Sequence, residues 1–253
     1  MNELLIYNCL LIAWFILAGA IFMTLFFIVA PYGRHVTRYW GITIGSTLGW
    51  IIMESTAPLV FAICFTLGKN QINLPELIFL VLWEAHYIHR AYIYPAHRRG
   101  GEKPMPLLVI SLGFIFNAVN GYLNGRYLFA FSAGYQNSWL TDPRFIAGVI
   151  LFIAGFIINR GSDNILHSLR KEDESGYQIT SRGLFRWISC PNYLGEIIIW
   201  TGWAIATWSI AGLSFAVWTA ANLVPRARAH HKWYQKHFQD YPENRKALVP
   251  GIW

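Results

Sequence analysis

The sequence predicts an all-α, polytopic integral membrane protein of seven transmembrane helices, and three observations lead there. Apolar residues come in runs of about twenty, the length a helix needs to cross the hydrocarbon core of a bilayer. Hydrophobic residues make up 55% of the chain and charged ones only 13%, about half the charged share usual in a soluble domain. The basic residues gather at alternate ends of the apolar runs, so that nearly all fall on one side of the membrane.

The spans are expected near residues 4–30, 40–67, 74–95, 105–126, 143–167, 192–208 and 209–232. The first is too long for a signal-peptide core and has no positive flank ahead of it, which predicts a retained helix. The second carries Glu54 inside an apolar stretch from Trp50 to Leu59, where lipid surroundings favour the neutral acid. On the third, Glu84, Tyr87, Ala91, Tyr94 and Arg98 recur every three or four residues. That spacing gives one helix face leading from mid-membrane polar groups to a basic end. Asn117, Asn120 and Asn124 form a stripe on the fourth span, a pattern that also suits hydrogen bonding between helices. The fifth carries Asn159 and Asp163 with Arg170 just beyond, and the sixth opens on Asn192 and Glu196, four apart. Residues 168–191 between them form the longest polar segment and a candidate lid. One membrane domain, 1–253, is expected, with substrate-side helices over about 1–130 and cofactor-side helices and loops over about 143–253.

All lysines and arginines except Lys69, Arg126 and Arg144 fall on one side of this arrangement. By the positive-inside rule the N-terminus is external and the C-terminus cytoplasmic, as an odd number of spans requires. Because the net charge of +7 follows the membrane in this way, it does not point to nucleic acid. Cys9, Cys64 and Cys190 lie far apart and suggest neither disulfides nor a thiolate metal site. His230, His231 and His237 with Asp240 show no HxxxH or HExxH spacing, and adjacent helical histidines diverge, so no metal is expected. The Asn, Asp, Glu, Tyr and Arg residues that cluster in the cytoplasmic half suit a large anionic ligand such as a dinucleotide. No GxGxxG follows a strand and no phosphate-binding loop is present, so such a ligand would lie between helices.

The chain resembles the steroid 5α-reductases, the type 2 isozyme in particular, over nearly its whole length. The resemblance is carried by Glu54, by His86-Tyr87-Ile88-His89-Arg90 with Tyr94 and Arg99-Gly100, and by Thr141-Asp142-Pro143-Arg144-Phe145. It continues through Asn159 with Ser162-Asp163, Leu169-Arg170-Lys171, Gly183-Leu184-Phe185 and Asn192-Tyr193-Leu194-Gly195-Glu196, and ends with Asp240-Tyr241-Pro242 and Arg245 to Pro250. It implies a seven-helix, multi-pass reductase that holds NADPH on the cytoplasmic side and a flat, lipophilic 3-oxo-Δ4-steroid deeper in the bilayer. It further implies a monomer in a bacterial inner membrane or the endoplasmic reticulum, according to source.

By the same resemblance, Glu54 and Tyr87 are the catalytic pair at the carbonyl, in a substrate pocket with Trp50. The cofactor shell comprises Tyr94, Arg98, Asn159, Asp163, Arg170, Tyr177, Asn192, Glu196, Arg226, His230, Tyr234 and Arg245. Two positions depart from the family pattern: Met53 stands where animal members carry Gln, and Gln178 follows Tyr177 where Arg is familiar.

The chemistry asks for such a site independently. Hydride addition to the β-carbon of an enone places negative charge on the ketone oxygen, which a fixed hydrogen-bond donor stabilises, and the α-carbon is then protonated. Tyr87 is the donor of choice, and a neutral Glu54 would support it, as a tyrosine and a protonated aspartate do in ketosteroid isomerase. Three other readings compete. They are a membrane reductase of acyl-CoA enones, a methyltransferase of the isoprenylcysteine type, which the segment Asn192 to Glu196 also resembles, and a transporter using Glu54 and Glu84 as proton relays.

Overall fold

Each expected apolar run forms a helix. The computed structural model describes residues 2–28, 41–97, 104–169 and 177–253. Among these the long helices are α1 (Glu3–Phe27), α2 (Ser46–Thr66), α3 (Leu74–Ile88), α5 (Leu107–Arg126), α6 (Pro143–Ser168), α7 (Pro191–Thr207) and α8 (Ile210–His237). A short α4 spans Tyr94–His97. By length and composition, four segments among the described residues suffice to cross a bilayer: Glu3–Phe27, Ser46–Thr66, Leu107–Phe131 and Pro143–Ser168. Exposed Leu, Ile and Phe side chains along α1, α5 and α6 suit a lipid-facing surface.

Two features depart from seven plain helices. Strands β1 (Thr43–Gly45) and β2 (Pro104–Pro106) pair antiparallel, with Thr43 opposite Pro106, at the starts of the second and fourth expected spans. The third span is not one α-helix, because α3 opens into a π turn at His89–Ile93 before α4. A second π turn, Tyr127–Phe131, continues α5.

The ends of the helices follow local chemistry. The backbone N–H of Asn73 reaches Glu76 Oε2 at 3.2 Å, and Glu76 Oε1 accepts the Tyr135 amide at 2.7 Å, so this fully buried acid is a structural cap. Pro191 begins α7, where its missing N–H is not needed. Ser209 Oγ accepts the Gly212 amide at 2.9 Å and caps α8, one residue after Trp208 turns the chain with φ of 42°.

Contacts group the chain into two compact units. The first takes in α1 as far as Leu11 and the chain through α5 up to Phe145; the second takes in α1 from Ile12 and the chain from Ile146. In the first unit Arg126 clamps Glu3 through two 2.8 Å hydrogen bonds and donates to the Leu67 carbonyl at 3.2 Å. Its core stacks Phe61 on Trp83, with centroids 4.4 Å apart. In the second unit α6 and α7 meet through glycines spaced seven apart on each helix, Gly148 and Gly155 against Gly195 and Gly202. A Cβ on Gly195 would lie 2.5 Å from the Asn159 nitrogen, and one on Gly155 would lie 2.6 Å from the Ile199 nitrogen. Only bare backbone permits so close an approach. The chain's last segment packs back onto this unit, where Ser189 N donates to the Lys246 carbonyl at 2.8 Å and Lys246 N to the Trp187 carbonyl at 2.9 Å.

Candidate functional site

In the first unit, α2 supplies Trp50 and Glu54, α3 supplies Tyr87, and the π turn supplies Arg90. Glu54 is 5% exposed. Arg90 Nε donates to Glu54 Oε1 at 3.1 Å. The expected neutral acid is thus seated against a guanidinium, the geometry of a charge pair. Trp50 Nε1 donates to the Arg90 carbonyl at 2.9 Å, and the Arg90 guanidinium carbon lies 5.1 Å from the Trp50 ring centre. Tyr94, expected at the cofactor, packs on the same indole, with centroids 5.6 Å apart.

Tyr87 is 2% exposed. Trp83 and His86 pack against its ring, each with centroids 5.2 Å away. Its hydroxyl donates to Asn117 Oδ1 at 3.4 Å, and Asn117 Nδ2 donates to the Met53 carbonyl at 2.8 Å. The asparagine thereby ties the tyrosine of α3 to the residue preceding Glu54 on α2. Pro58, four residues after Glu54, has no N–H to offer the Glu54 carbonyl, which loosens the helix at this point.

In the second unit the expected cofactor residues form linked networks. Asn159 Nδ2 donates to Glu196 Oε2 at 3.0 Å and to the Asn192 carbonyl at 2.9 Å. Trp200 Nε1 donates to Glu196 Oε1 at 3.1 Å, and Asn192 Nδ2 donates to Asp163 Oδ1 at 3.1 Å. The close approach at Gly195 sets this register, since it brings the α7 backbone against Asn159 itself. On α8, His230 Nε2 lies 3.1 Å from the Tyr193 hydroxyl, to which Arg226 donates at 3.4 Å. Arg226 also reaches Asn222 Oδ1 at 3.4 Å.

A further cluster lies near the end of the chain. Arg245, 4% exposed, donates to the Thr180 carbonyl at 2.9 Å and to Ser181 Oγ at 3.3 Å, with its guanidinium carbon 4.9 Å from the Tyr241 ring centre. Ser189 Oγ lies 2.6 Å from both His231 Nδ1 and the Tyr241 hydroxyl. Burial pushes the Tyr241 hydroxyl above its ordinary range against the pull of Ser189 and Arg245, which keeps it a hydrogen-bond donor. Tyr234 stacks on Tyr241 at 5.5 Å, and Tyr177 meets Trp233 edge-on at 5.0 Å. Arg98 and Arg170 lie outside the described residues, as does part of the 168–191 segment. Among the described residues no three His, Cys, Asp or Glu side chains gather as a metal site.

Sequence reasoning did not find Arg90, Asn117 in its role toward Tyr87, Trp200, Ser189 or Tyr241 as parts of these clusters. Trp200 was within reach of a spacing argument, because it stands four residues after Glu196.

Known proteins share this arrangement of sequence. A family profile described as 3-oxo-5-alpha-steroid 4-dehydrogenase matches residues 103–253. Steroid 5-alpha-reductase DET2 of Arabidopsis thaliana is 39% identical over 233 residues, covering 90% of this chain and 89% of the relative. The 3-oxo-5-alpha-steroid 4-dehydrogenase 1 of Bos taurus is 41% identical over 227 residues, covering 88% of each. Its Homo sapiens counterpart is 40% identical over 223 residues, covering 87% of this chain and 85% of the relative.

Proposed function

This chain belongs to the 3-oxo-5-alpha-steroid 4-dehydrogenase family, and from that premise we infer that it uses NADPH to reduce the Δ4 double bond of a 3-oxo-Δ4-steroid. The observation that carries this reading is the buried polar cluster of the first unit: Glu54 and Tyr87, joined through Asn117 and the Met53 backbone. A flat hydrocarbon with one ketone suits such a setting, because a single polar atom needs a partner there.

In the proposed reaction the ketone oxygen takes up the Tyr87 hydroxyl as donor. The 3.4 Å bond to Asn117 is long enough to be exchanged for it. Negative charge then gathers on that oxygen in a site from which protein and lipid exclude water, where one oriented donor lowers the barrier most. Glu54 supports the tyrosine from beside that oxygen. The α-carbon receives a proton as the saturated ketone forms.

The residues of the second unit suit NADPH. Arg245 is buried, and its Nε has no hydrogen-bond partner among the described residues, so an anionic oxygen would satisfy it. Asn159, Asp163, Tyr177, Asn192, Glu196, Arg226, His230, Tyr234 and Arg245, with Tyr94, Arg98 and Arg170, are the proposed cofactor residues. Bound NADPH supplies the hydride that adds to C5. The membrane arrangement we propose has seven spans, an external N-terminus and a cytoplasmic C-terminus, which puts the basic residues where cytosolic NADPH is available.

The deciding experiment incubates detergent-solubilised protein with NADPH and a panel of progesterone, testosterone and an enoyl-CoA. The 5α-saturated steroid is the expected product. Turnover of the enoyl-CoA alone would overturn the steroid assignment.

A further inference from the structure

Arg90 holds no role in the reaction as derived so far, yet it sits at the hub of the first unit's polar cluster. We propose that Arg90 is a positioning residue for the reduction, holding Glu54 as the carboxylate half of a neutral pair while Trp50 holds Arg90 in turn. The proposal deepens the steroid-reduction reading and rests on it.

Three contacts carry the argument. The Arg90 Nε to Glu54 Oε1 distance is 3.1 Å, with the carboxyl buried. The Trp50 ring faces the guanidinium at 5.1 Å, an arrangement that favours a cation. The Trp50 indole N–H also grasps the main chain of the same residue, donating to the Arg90 carbonyl at 2.9 Å. The π turn makes this double grip possible. Within it backbone N–H groups reach five residues back, as Tyr94 N–H does to the His89 carbonyl, and the widened turn seats Arg90 where both Glu54 and Trp50 reach it. Such turns occur often at functional sites, and here the distortion falls one residue after Ile88 and two after Tyr87.

The pairing has a chemical consequence. A bare carboxylate next to a ketone oxygen that is gaining negative charge would oppose the reaction, and a guanidinium held on that carboxylate removes the opposition. A neutral acid would achieve the same end without Arg90. The two arrangements therefore predict opposite results when Arg90 is removed. If the pair is what works, activity falls; if a neutral Glu54 works, losing the guanidinium leaves activity intact or raises it.

The test uses the full-length protein in detergent, with whichever 3-oxo-Δ4-steroid the wild type reduces. Arg90→Ala should lower kcat on the order of 10²-fold while leaving the KM for NADPH unchanged. Millimolar guanidinium or methylguanidinium should restore Arg90→Ala about tenfold or more by refilling the space beside Glu54, and should do nothing for Glu54→Ala. Arg90→Lys keeps the charge but not the planar fork, so it should fall between wild type and Arg90→Ala. Independently of turnover, the infrared difference spectrum of wild type minus Glu54→Gln should contain a carboxylate stretch and no protonated-carboxyl stretch. Full kcat in Arg90→Ala, a loss that guanidinium leaves untouched, or a protonated-carboxyl band in that difference spectrum would each overturn the proposal. The infrared result judges the pair even if Arg90→Ala does not fold. A wild type that reduces no steroid would instead overturn the function proposed above.

Discussion

Tyr87 donates to Asn117 at 3.4 Å, and through Asn117 it is coupled to the backbone of Met53, the residue before Glu54. The two proposed catalytic groups are therefore held by one frame, and they should fail together. Tyr87→Phe removes only a hydroxyl and should lower kcat on the order of 10²–10³-fold, the loss expected for one donor in a dry site. Glu54→Ala should cost a similar factor. The double variant should be little worse than either single one, since one frame holds both groups. NADPH binding, read by thermal shift, should stay as in wild type. Full activity in Tyr87→Phe, or losses that multiply, would refute joint action.

Asn117→Ala tests the frame itself. It leaves the Met53 carbonyl without its 2.8 Å donor and lets the tyrosine rotate. Stability should drop by about 1–3 kcal/mol from the unsatisfied buried group. The catalytic loss should be smaller than in Tyr87→Phe, about tenfold, because the hydroxyl remains and is only less well placed. A loss equal to that of Tyr87→Phe would make Asn117 itself a ligand of the ketone.

Gly195→Ala should damage the cofactor side without touching a polar group. Its Cβ would meet the Asn159 nitrogen at 2.5 Å and Cα at 2.8 Å, both backbone atoms that cannot swing aside. Overpacking of this kind costs about 1–3 kcal/mol and would shift Asn159 away from Glu196. The expected result is a lower melting temperature and a weaker NADPH-dependent thermal shift. Gly161→Ala, on the same helix as Asn159 but with open space around it, should leave NADPH binding intact and raise stability by up to about 1 kcal/mol. Equal behaviour of the two variants would show that the close approach of α6 and α7 does not set the register.

How much of this was legible in the sequence depends on how local each signal is. The helices were readable because an apolar run of sufficient length has few other ways to satisfy its backbone in lipid. Asn159 with Asp163 and Asn192 with Glu196 were readable as faces because residues four apart share one side of a helix, and the structure joins these two faces through the Asn159–Glu196 and Asn192–Asp163 bonds. Arg90 was not, because a cation near the end of a span looks like part of the cytoplasmic charge belt, and no residue pattern announces the π turn that turns it toward Glu54. Ser189, His231 and Tyr241 lie up to 52 residues apart in the chain, beyond any spacing rule. The β1–β2 ribbon, two three-residue strands with two prolines, is too short to leave a period-two pattern.

The charge distribution predicts that a tag after Trp253 is reached only from the cytoplasmic side and a tag before Asn2 only from outside. Cysteine labelling with a membrane-impermeant reagent in sealed vesicles distinguishes the two faces. A Trp253 tag labelled from outside would refute both the orientation and the cytosolic supply of NADPH.

Arg245 offers the sharpest test of cofactor choice. Its guanidinium is fixed by the Thr180 carbonyl, Ser181 Oγ and the Tyr241 ring, while Nε has no partner among the described residues. A buried, charged donor held in this way calls for an anionic acceptor, and the ribose 2′-phosphate that distinguishes NADPH from NADH is one. Arg245→Ala should weaken NADPH binding by roughly 10- to 100-fold, the range of a charge-assisted hydrogen bond, and should weaken NADH binding much less. Because Arg245 also joins the 180–181 segment to the chain's last residues, the variant's melting temperature without cofactor will fall as well. The informative quantity is therefore the ratio of NADPH to NADH affinity, taken from concentration-dependent thermal shifts of the same variant, in which the loss of basal stability cancels. Arg245→Lys should restore part of that ratio through its charge. A ratio unchanged from wild type in both variants would assign Arg245 to the fold alone and leave the 2′-phosphate to Arg170 or Arg226.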